Sequence, residues 1–247
     1  MKTYGIIGFP LTHSFSQKYF NRKFQEEGIN DCSYEVYPIR SVDEIKPLMG
    51  SNPHLLGLNI TIPYKRSVLK YLDVSNGIPA GLEACNCIRI KNGIVSGFNT
   101  DITGFEQSLL PYLKKQHTDA LILGNGGAAA AIKFVLRKLK LNYKTVSREL
   151  HDDTDLTYEH LTESIINENK LIINTTPLGT FPGVGDCPDI PYQFLSPHHL
   201  LYDLVYNPEK TLFLQKGERA GATIKNGYEM LVIQAEESWR IWNEDQG

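Results

Sequence analysis

The chain has 247 residues, 41% of them hydrophobic and 21% charged, with 20 glycines and 13 prolines, a composition that excludes disordered, collagen-like and disulfide-stapled miniprotein classes. The formal net charge of -3 brings no basic excess for a phosphate backbone or an anionic bilayer, so neither nucleic acid nor membrane is expected as a partner. No apolar run approaches the roughly 18 residues of a membrane span, the first eight residues are too short and broken for a signal-peptide core, and a cytoplasmic location is expected.

In chain order, short β-like runs alternate with amphipathic helical stretches: a strand over 4–8, a helix over 16–27, a strand over 32–37, a helix over 41–49 and a strand over 55–62. That alternation predicts a mainly parallel α/β sheet. Ser16 is a candidate N-cap for the first helix. The Asn92-Gly93 dipeptide predicts a tight hairpin between runs 87–90 and 94–98, and a helix follows over 103–113. A second α/β series then begins, with a strand over 120–123, a helix over 128–139 and strands over 143–147 and 171–174. The Gly/Pro-rich stretch 181–191 reads as a surface loop, and a last helix spans 227–242. A domain change is expected near Asp101, with the final helix returning to the first domain.

Cys32, Cys85, Cys87 and Cys187 contain no C-x-x-C spacing and read as reduced packing residues. His198 and His199 would face opposite sides of a strand, and the other histidines are scattered, so no metal site is expected.

The segment Gly124-Asn125-Gly126-Gly127-Ala128 follows an apolar strand and opens a helix, which is the setting of a dinucleotide fingerprint. The glycines let backbone amides approach a pyrophosphate, and the helix N-terminus supplies the positive end of a dipole. A glycine turn that merely tightens a strand-to-helix connection is the plainer alternative. At the end of the next strand, Ser147 and Arg148 suit a ribose 2′-phosphate and favour NADP; the adjacent Glu149 leaves NAD as the alternative.

In the first series, period-2 alternation puts Asn59 and Thr61 on one polar strand face, either a substrate floor or simply a half-exposed strand. Lys65 is either a solvated or a catalytic lysine. Ser14 and Ser16 at a helix N-terminus suit a carboxylate or a cap, Asp101 suits a cap or a catalytic role, and Gln234 faces either solvent or a buried partner.

His13-Ser14-Phe15-Ser16, Asn59-Ile60-Thr61-Ile62-Pro63-Tyr64-Lys65, Ala84-Cys85-Asn86, Phe98-Asn99-Thr100-Asp101, the glycine loop, Asn174-Thr175-Thr176-Pro177-Leu178-Gly179, Asp203-Leu204-Val205-Tyr206-Asn207-Pro208 and residues 227–235 occur in one order along nearly the whole chain. Together they resemble the shikimate dehydrogenase family, whose members reduce 3-dehydroshikimate to shikimate with NADPH in aromatic amino acid (chorismate) biosynthesis. The resemblance implies an α/β, two-domain fold: a discontinuous substrate domain over 1–101 and 226–247 with a mainly parallel sheet, and a Rossmann-type NADP-binding domain over 102–225. It implies Lys65 and Asp101 as the catalytic pair, and Ser14, Ser16, Asn59, Thr61, Asn86, Tyr206 and Gln234 as substrate-binding residues. Gly124, Asn125, Gly126, Gly127, Ala128, Ser147, Arg148, Asn174, Thr175, Thr176, Leu204 and Gly227 are implied as cofactor-binding; a monomer or homodimer is expected.

The chain departs from the family where NADP-using members carry Asn-Arg-Thr and a further basic residue: here Ser147-Arg148-Glu149 is followed by Asp152 and Asp153. Quinate/shikimate dehydrogenase activity with NAD is the nearest alternative. A silent dinucleotide-binding regulatory module would have no use for Lys65 and Asp101, and a folate-type dehydrogenase no use for the paired serines.

Overall fold

The computed structural model describes residues 1–11 and 14–244; His13, one of the motif residues above, lies outside them. The chain divides into two compact units, Met1–Gly104 with Leu231–Gly247, and Phe105–Met230.

The first unit opens with β1 (Lys2–Ile7), α1 (Phe15–Glu26), β2 (Cys32–Tyr37), α2 (Ile45–Ser51) and β3 (Leu55–Ile60). It continues through β4 (Val74–Gly77), the hairpin β5 (Cys87–Lys91) and β6 (Ile94–Phe98), and the start of α3 (Asp101–Leu109). The sheet order is β2-β1-β3-β5-β6-β4, parallel from β2 to β3 and antiparallel across β5. Asn92 and Gly93 take positive φ angles of 53° and 79°, the conformation that the Asn-Gly hairpin requires.

Alternation along the central strands gives this sheet two buried faces. Ile7, Leu58, Ile60 and Ile88 pack with Ile45 of α2, whereas Tyr4, Ile6 and Tyr34 pack with Phe20 and Phe24 of α1. Asn59 therefore points to the second face, opposite its neighbours Leu58 and Ile60.

The second unit carries β7 (Asp119–Leu123), α4 (Gly127–Lys138), β8 (Asn142–Ser147), β9 (Leu156–Thr157), α5 (Glu163–Glu168) and β10 (Leu171–Asn174). It ends with β11 (Leu200–Asp203), α6 (Leu212–Arg219) and β12 (Thr223–Lys225). Every pairing is parallel, in the order β12-β11-β10-β7-β8-β9. Counted from β7, this is the doubly wound order of dinucleotide folds, whose strand direction of travel reverses between the first and fourth strands. Strands β10 and β11 are buried at every position, as a parallel sheet covered on both faces demands.

The last helix, α7 (Tyr228–Asn243), contributes Ala235, Ile241 and Trp242 to the first unit's second face. The Trp242 ring stacks on Tyr4 at 4.8 Å and donates its indole N–H to the Ile88 carbonyl at 2.9 Å. Gly57 leaves the space for it: a Cβ there would stand 2.3 Å from the indole.

Several local expectations are corrected. The N-cap of α1 is Ser14, whose hydroxyl accepts from the Gln17 N–H, and Ser16 lies inside the helix. The 55–62 strand stops at Ile60, because Thr61 already turns the chain: its carbonyl accepts from the Tyr64 amide. The 41–49 helix starts as a 3-10 turn over Val42–Glu44, and the 103–113 helix ends at Leu109 before a 3-10 turn containing Pro111. His198 and His199 precede β11 instead of lying in a strand. His199 is fully buried, with its imidazole beside the Ile166 carbonyl at 2.9 Å. Strands β4, β9, β11 and β12 and helices α5 and α6 are too short for periodicity to reveal.

Candidate active site

In the first unit, the turn after β3 delivers Lys65, whose backbone carbonyl accepts from the Cys85 N–H at 2.8 Å. From the other direction, β6 ends in Asn99-Thr100-Asp101. Asn99 anchors this segment by donating to the Ala84 carbonyl at 2.8 Å, and its Oδ1 accepts from the Ile102 amide at 3.3 Å. With Asn99 serving the start of α3, the Asp101 carboxylate is free for another partner. That partner is Lys65: Nζ stands 2.6 Å from Asp101 Oδ2, and the two side chains are only 15% and 11% exposed. An ion pair so shielded feels little of the screening that weakens surface pairs.

A buried polar chain backs this pair. Asn86 accepts the Thr100 N–H at 2.6 Å and donates to the Thr100 hydroxyl at 3.0 Å, fixing the residue next to Asp101. The Thr100 hydroxyl lies 3.3 Å from Ser238 Oγ and 3.4 Å from Gln234 Oε1. Asn59 joins them by donating to Ser238 Oγ at 3.0 Å and accepting from the Tyr34 hydroxyl at 2.7 Å.

Asn59 is thus not part of an open polar strand face. It is 4% exposed, and both ends of its amide are engaged by the protein, which makes it a fixed support for the site. Gln234 is buried toward this network and does not face solvent. Thr61 sits half-buried at the end of β3. Ser14 and Ser16 are buried at the start of α1, Ser16 beside the Tyr34 hydroxyl. Sequence reasoning missed Tyr34 and Ser238. Ser238 stands one helical turn from Gln234, a spacing that places both on one face of α7 and that marks it in retrospect.

In the second unit, a cavity of about 370 Å³ lies at the carboxyl ends of β7, β8 and β10, where the strand order reverses. Gly124, Asn125, Gly126, Ser147, Arg148, Thr175 and Thr176 all line it, joined by Pro177 and Leu178 of the same motif and by Tyr158, which the sequence did not single out. Gly124 has φ +100°, and a Cβ there would meet Thr176 at 2.8 Å and Thr175 at 3.0 Å. A Cβ on Gly126 would meet nothing within 4 Å, so the helix start is open on that side. Gly126 is the N-cap of α4 and contributes no side chain to its first turn, leaving amides there for an outside acceptor. Open space, glycines and helix amides at a switch point fit a dinucleotide pyrophosphate.

Among the other expected cofactor residues, Gly127 and Ala128 form the first turn of α4. Ser147 donates its hydroxyl to the Glu149 carbonyl within its own turn. Asn174 does not line the cavity. It is fully buried, donates to Asp203 at 2.9 Å, and accepts from both the amide and the hydroxyl of Thr176, so it holds the cavity wall in place. Leu204 and Gly227 lie against each other: a Cβ on Gly227 would fall 2.1 Å from the Leu204 carbonyl oxygen. Tyr206 is half-buried, which raises its hydroxyl above the ordinary value. Lys133, also unremarked in the sequence, donates to Asn125 Oδ1 at 2.8 Å.

Asp203 accepts from Asn174, from the Val205 amide at 3.0 Å and from the Thr211 hydroxyl at 2.5 Å, yet burial pushes its carboxyl up to about 6. Between its ordinary value of 3.8 and 6, the folded chain keeps a proton that the unfolded chain has lost. The residue's effect on stability therefore becomes less favourable as pH rises through that window and is constant above it, a change of about 3 kcal/mol. Asp203→Asn removes the slope: urea denaturation should show the variant gaining about that much on the parent between pH 4 and pH 7.

Among the described residues, no three His, Cys, Asp or Glu side chains converge as metal ligands, and no helix is long and apolar enough to cross a membrane.

The model for the shikimate dehydrogenase substrate binding domain matches residues 6–88. A shikimate dehydrogenase (NADP(+)) of Clostridium beijerinckii is 35% identical, across 100% of this chain and 93% of its own. One of Desulforamulus reducens is 31% identical, across 96% and 88%. The solved shikimate 5-dehydrogenase of Thermus thermophilus, in complex with NADP(H) and shikimate, superposes with a TM-score of 0.85 at 26% identity, covering 98% of this chain and 94% of that one.

Proposed function

The chain belongs to the shikimate dehydrogenase family, and from that premise we propose that it catalyses the reversible, NADPH-dependent reduction of 3-dehydroshikimate to shikimate. The observation that carries this reading is the shielded Lys65–Asp101 pair, 2.6 Å apart, backed by Asn86 and Thr100. NADPH, when bound, supplies the hydride. Reduction of a ketone develops negative charge on its oxygen, which the Lys65 ammonium stabilises and then protonates. Asp101 orients that ammonium, and in the reverse direction a neutral Lys65 takes the alcohol proton.

In this reading, residues 1–101 and 226–247 form the substrate domain and residues 102–225 the NADP domain. The Ser14 hydroxyl already accepts from Gln17, which leaves its O–H to donate to the substrate carboxylate alongside Ser16. Thr61, Asn86, Tyr206 and Gln234 serve the ring hydroxyls, Asn86 with the amide hydrogen left after its bond to the Thr100 hydroxyl and Gln234 with the one left after its bond to the Leu231 carbonyl. Asn59 acts through the network it supports. The loop Gly124–Gly127 with Ala128 takes the pyrophosphate, Ser147 and Arg148 the ribose phosphate, and Thr175 and Thr176 the adjoining wall; Asn174, Leu204 and Gly227 shape that wall. All four cysteines are unpaired, the state that a reducing cytoplasm maintains. A monomer or homodimer suffices for this chemistry.

The test is the nicotinamide absorbance change with purified protein, pairing shikimate or quinate with NADP or NAD. Fast turnover of shikimate with NADP, and at least tenfold less with quinate or NAD, is the expected result, a margin that one well-placed polar contact supplies. Comparable rates with quinate or NAD would replace the reading with a quinate/shikimate dehydrogenase, and no turnover with any pair would leave a binding module.

A further inference from the structure

The segment after β8 presents an electrostatic mismatch. Between residues 148 and 155, one arginine stands among four carboxylates, Glu149, Asp152, Asp153 and Asp155. A phosphate monoester carries nearly two negative charges at neutral pH, and Arg148 alone is a weak counterweight for it in that setting.

A second cation reaches the same place from a different element. Lys133 is on α4, and because helical side chains lean toward the helix N-terminus, its ammonium comes back to the glycine loop. Nζ donates to Asn125 Oδ1 at 2.8 Å and to the Asp153 backbone carbonyl at 3.3 Å. Asn125 and Arg148 line one cavity, so the ammonium stands within a hydrogen bond of its rim. Both of its acceptors are neutral oxygens, and among the described residues no carboxylate oxygen forms an ion pair with it. Of the two acids that act on the ammonium, Asp153 and Asp155, the second is tied to the Thr145 amide at 2.6 Å. Burial holds the ammonium below the ordinary lysine value, against the opposing pull of Asp153 and Asp155. The result is a partly desolvated cation, without a carboxylate partner, bonded to a lining residue of a cavity whose own loop is acidic.

We propose that Lys133 pairs with Arg148 as the second cation for the phosphate on the adenosine ribose of NADP, and that it sets the preference of this chain for NADP over NAD. The proposal rests on the NADP-dependent reading of the cavity above. A lysine on the helix thus takes the place of a basic residue in the loop after β8. The same side chain also ties that loop to the glycine loop, so the cation is positioned before any ligand arrives.

Calorimetric titration with adenosine 2′,5′-bisphosphate and with AMP separates the possibilities, since the two probes differ by the 2′-phosphate alone. Wild type should bind the bisphosphate more tightly than AMP. Lys133→Gln should weaken the bisphosphate about tenfold or more, the range of a charge-assisted hydrogen bond, and change AMP less than about twofold. Gln is a good helix former and the site is only partly buried, so the ligand-free variant should stay folded, its melting lowered by no more than the two hydrogen bonds that Lys133 donates. Lys133→Arg keeps the charge and should keep the preference. An equal loss for both probes would overturn the proposal and assign Lys133 to the 5′-phosphate that both carry or to loop structure; no loss for either, or a lost preference in Lys133→Arg, would overturn it as well. A wild-type protein indifferent to the 2′-phosphate would instead defeat the NADP reading itself, and the proposal with it.

Discussion

Replacing Lys65 with alanine is expected to lower turnover by about three orders of magnitude, while shikimate, titrated calorimetrically, binds within a few-fold of wild type. The magnitude follows from two losses at one atom: a positioned acid contributes roughly 10²–10⁴, and removing a charge aimed at a developing oxyanion costs a further large factor. The loss should fall in kcat because both interactions strengthen only as the carbonyl oxygen gains charge. The same substitution leaves the Asp101 carboxylate, 11% exposed, without its cation. A single broken buried pair costs about 3–5 kcal/mol, so the variant should also melt earlier. Adding Asp101→Asn to Lys65→Ala should recover much of that stability and none of the turnover. Turnover within tenfold of wild type in Lys65→Ala would remove Lys65 from the chemistry, and a loss confined to shikimate binding would make it a binding residue.

The second large effect separates two glycines in one loop. Gly124→Ala places a Cβ on a residue with φ +100° and against Thr175 and Thr176, so it should destabilise the ligand-free protein by about 2–4 kcal/mol, combining the left-handed backbone penalty with overpacking. Gly126→Ala meets open space at φ -80°, and the ligand-free protein should lose no more than about 1 kcal/mol, the cost of alanine at an N-cap. If a pyrophosphate lies against the α4 amides, however, the new methyl occupies its approach, and NADPH should bind at least tenfold more weakly by fluorescence titration, about 1.4 kcal/mol. Unchanged NADPH affinity in Gly126→Ala would move the phosphates off the helix start.

Much of this was legible without coordinates, where the determining physics is local. The Asn92-Gly93 turn needs positive φ at two adjacent residues, and few dipeptides supply it. The strand–glycine loop–helix unit at 120–138 combines an apolar run, permissive backbone and helical spacing within twenty residues, so its local form could be read from the chain alone. Alternation along β3 likewise placed Asn59 opposite Leu58 and Ile60.

Alternation could not say what lay on the other side. Asn59 belongs to a buried network because Ser238, 179 residues away, arrives on α7 and Tyr34 arrives on β2. Whether Asp101 caps a helix or meets Lys65 depended on Asn99 taking the Ile102 amide, a competition between neighbours that only three-dimensional placement resolves. The shift of the α1 cap from Ser16 to Ser14 has the same character, since either hydroxyl satisfies the local pattern. Lys133 shows the limit most plainly. In the sequence it is one polar residue on an amphipathic helix, and it becomes a candidate phosphate ligand only because parallel pairing of β7 with β8 brings the loop after β8 next to the glycine loop. Local residue patterns determined which segments could turn, coil or bind an anion, and the order of strands decided which distant side chains came to share a charge, because electrostatic partners are set by distance in space.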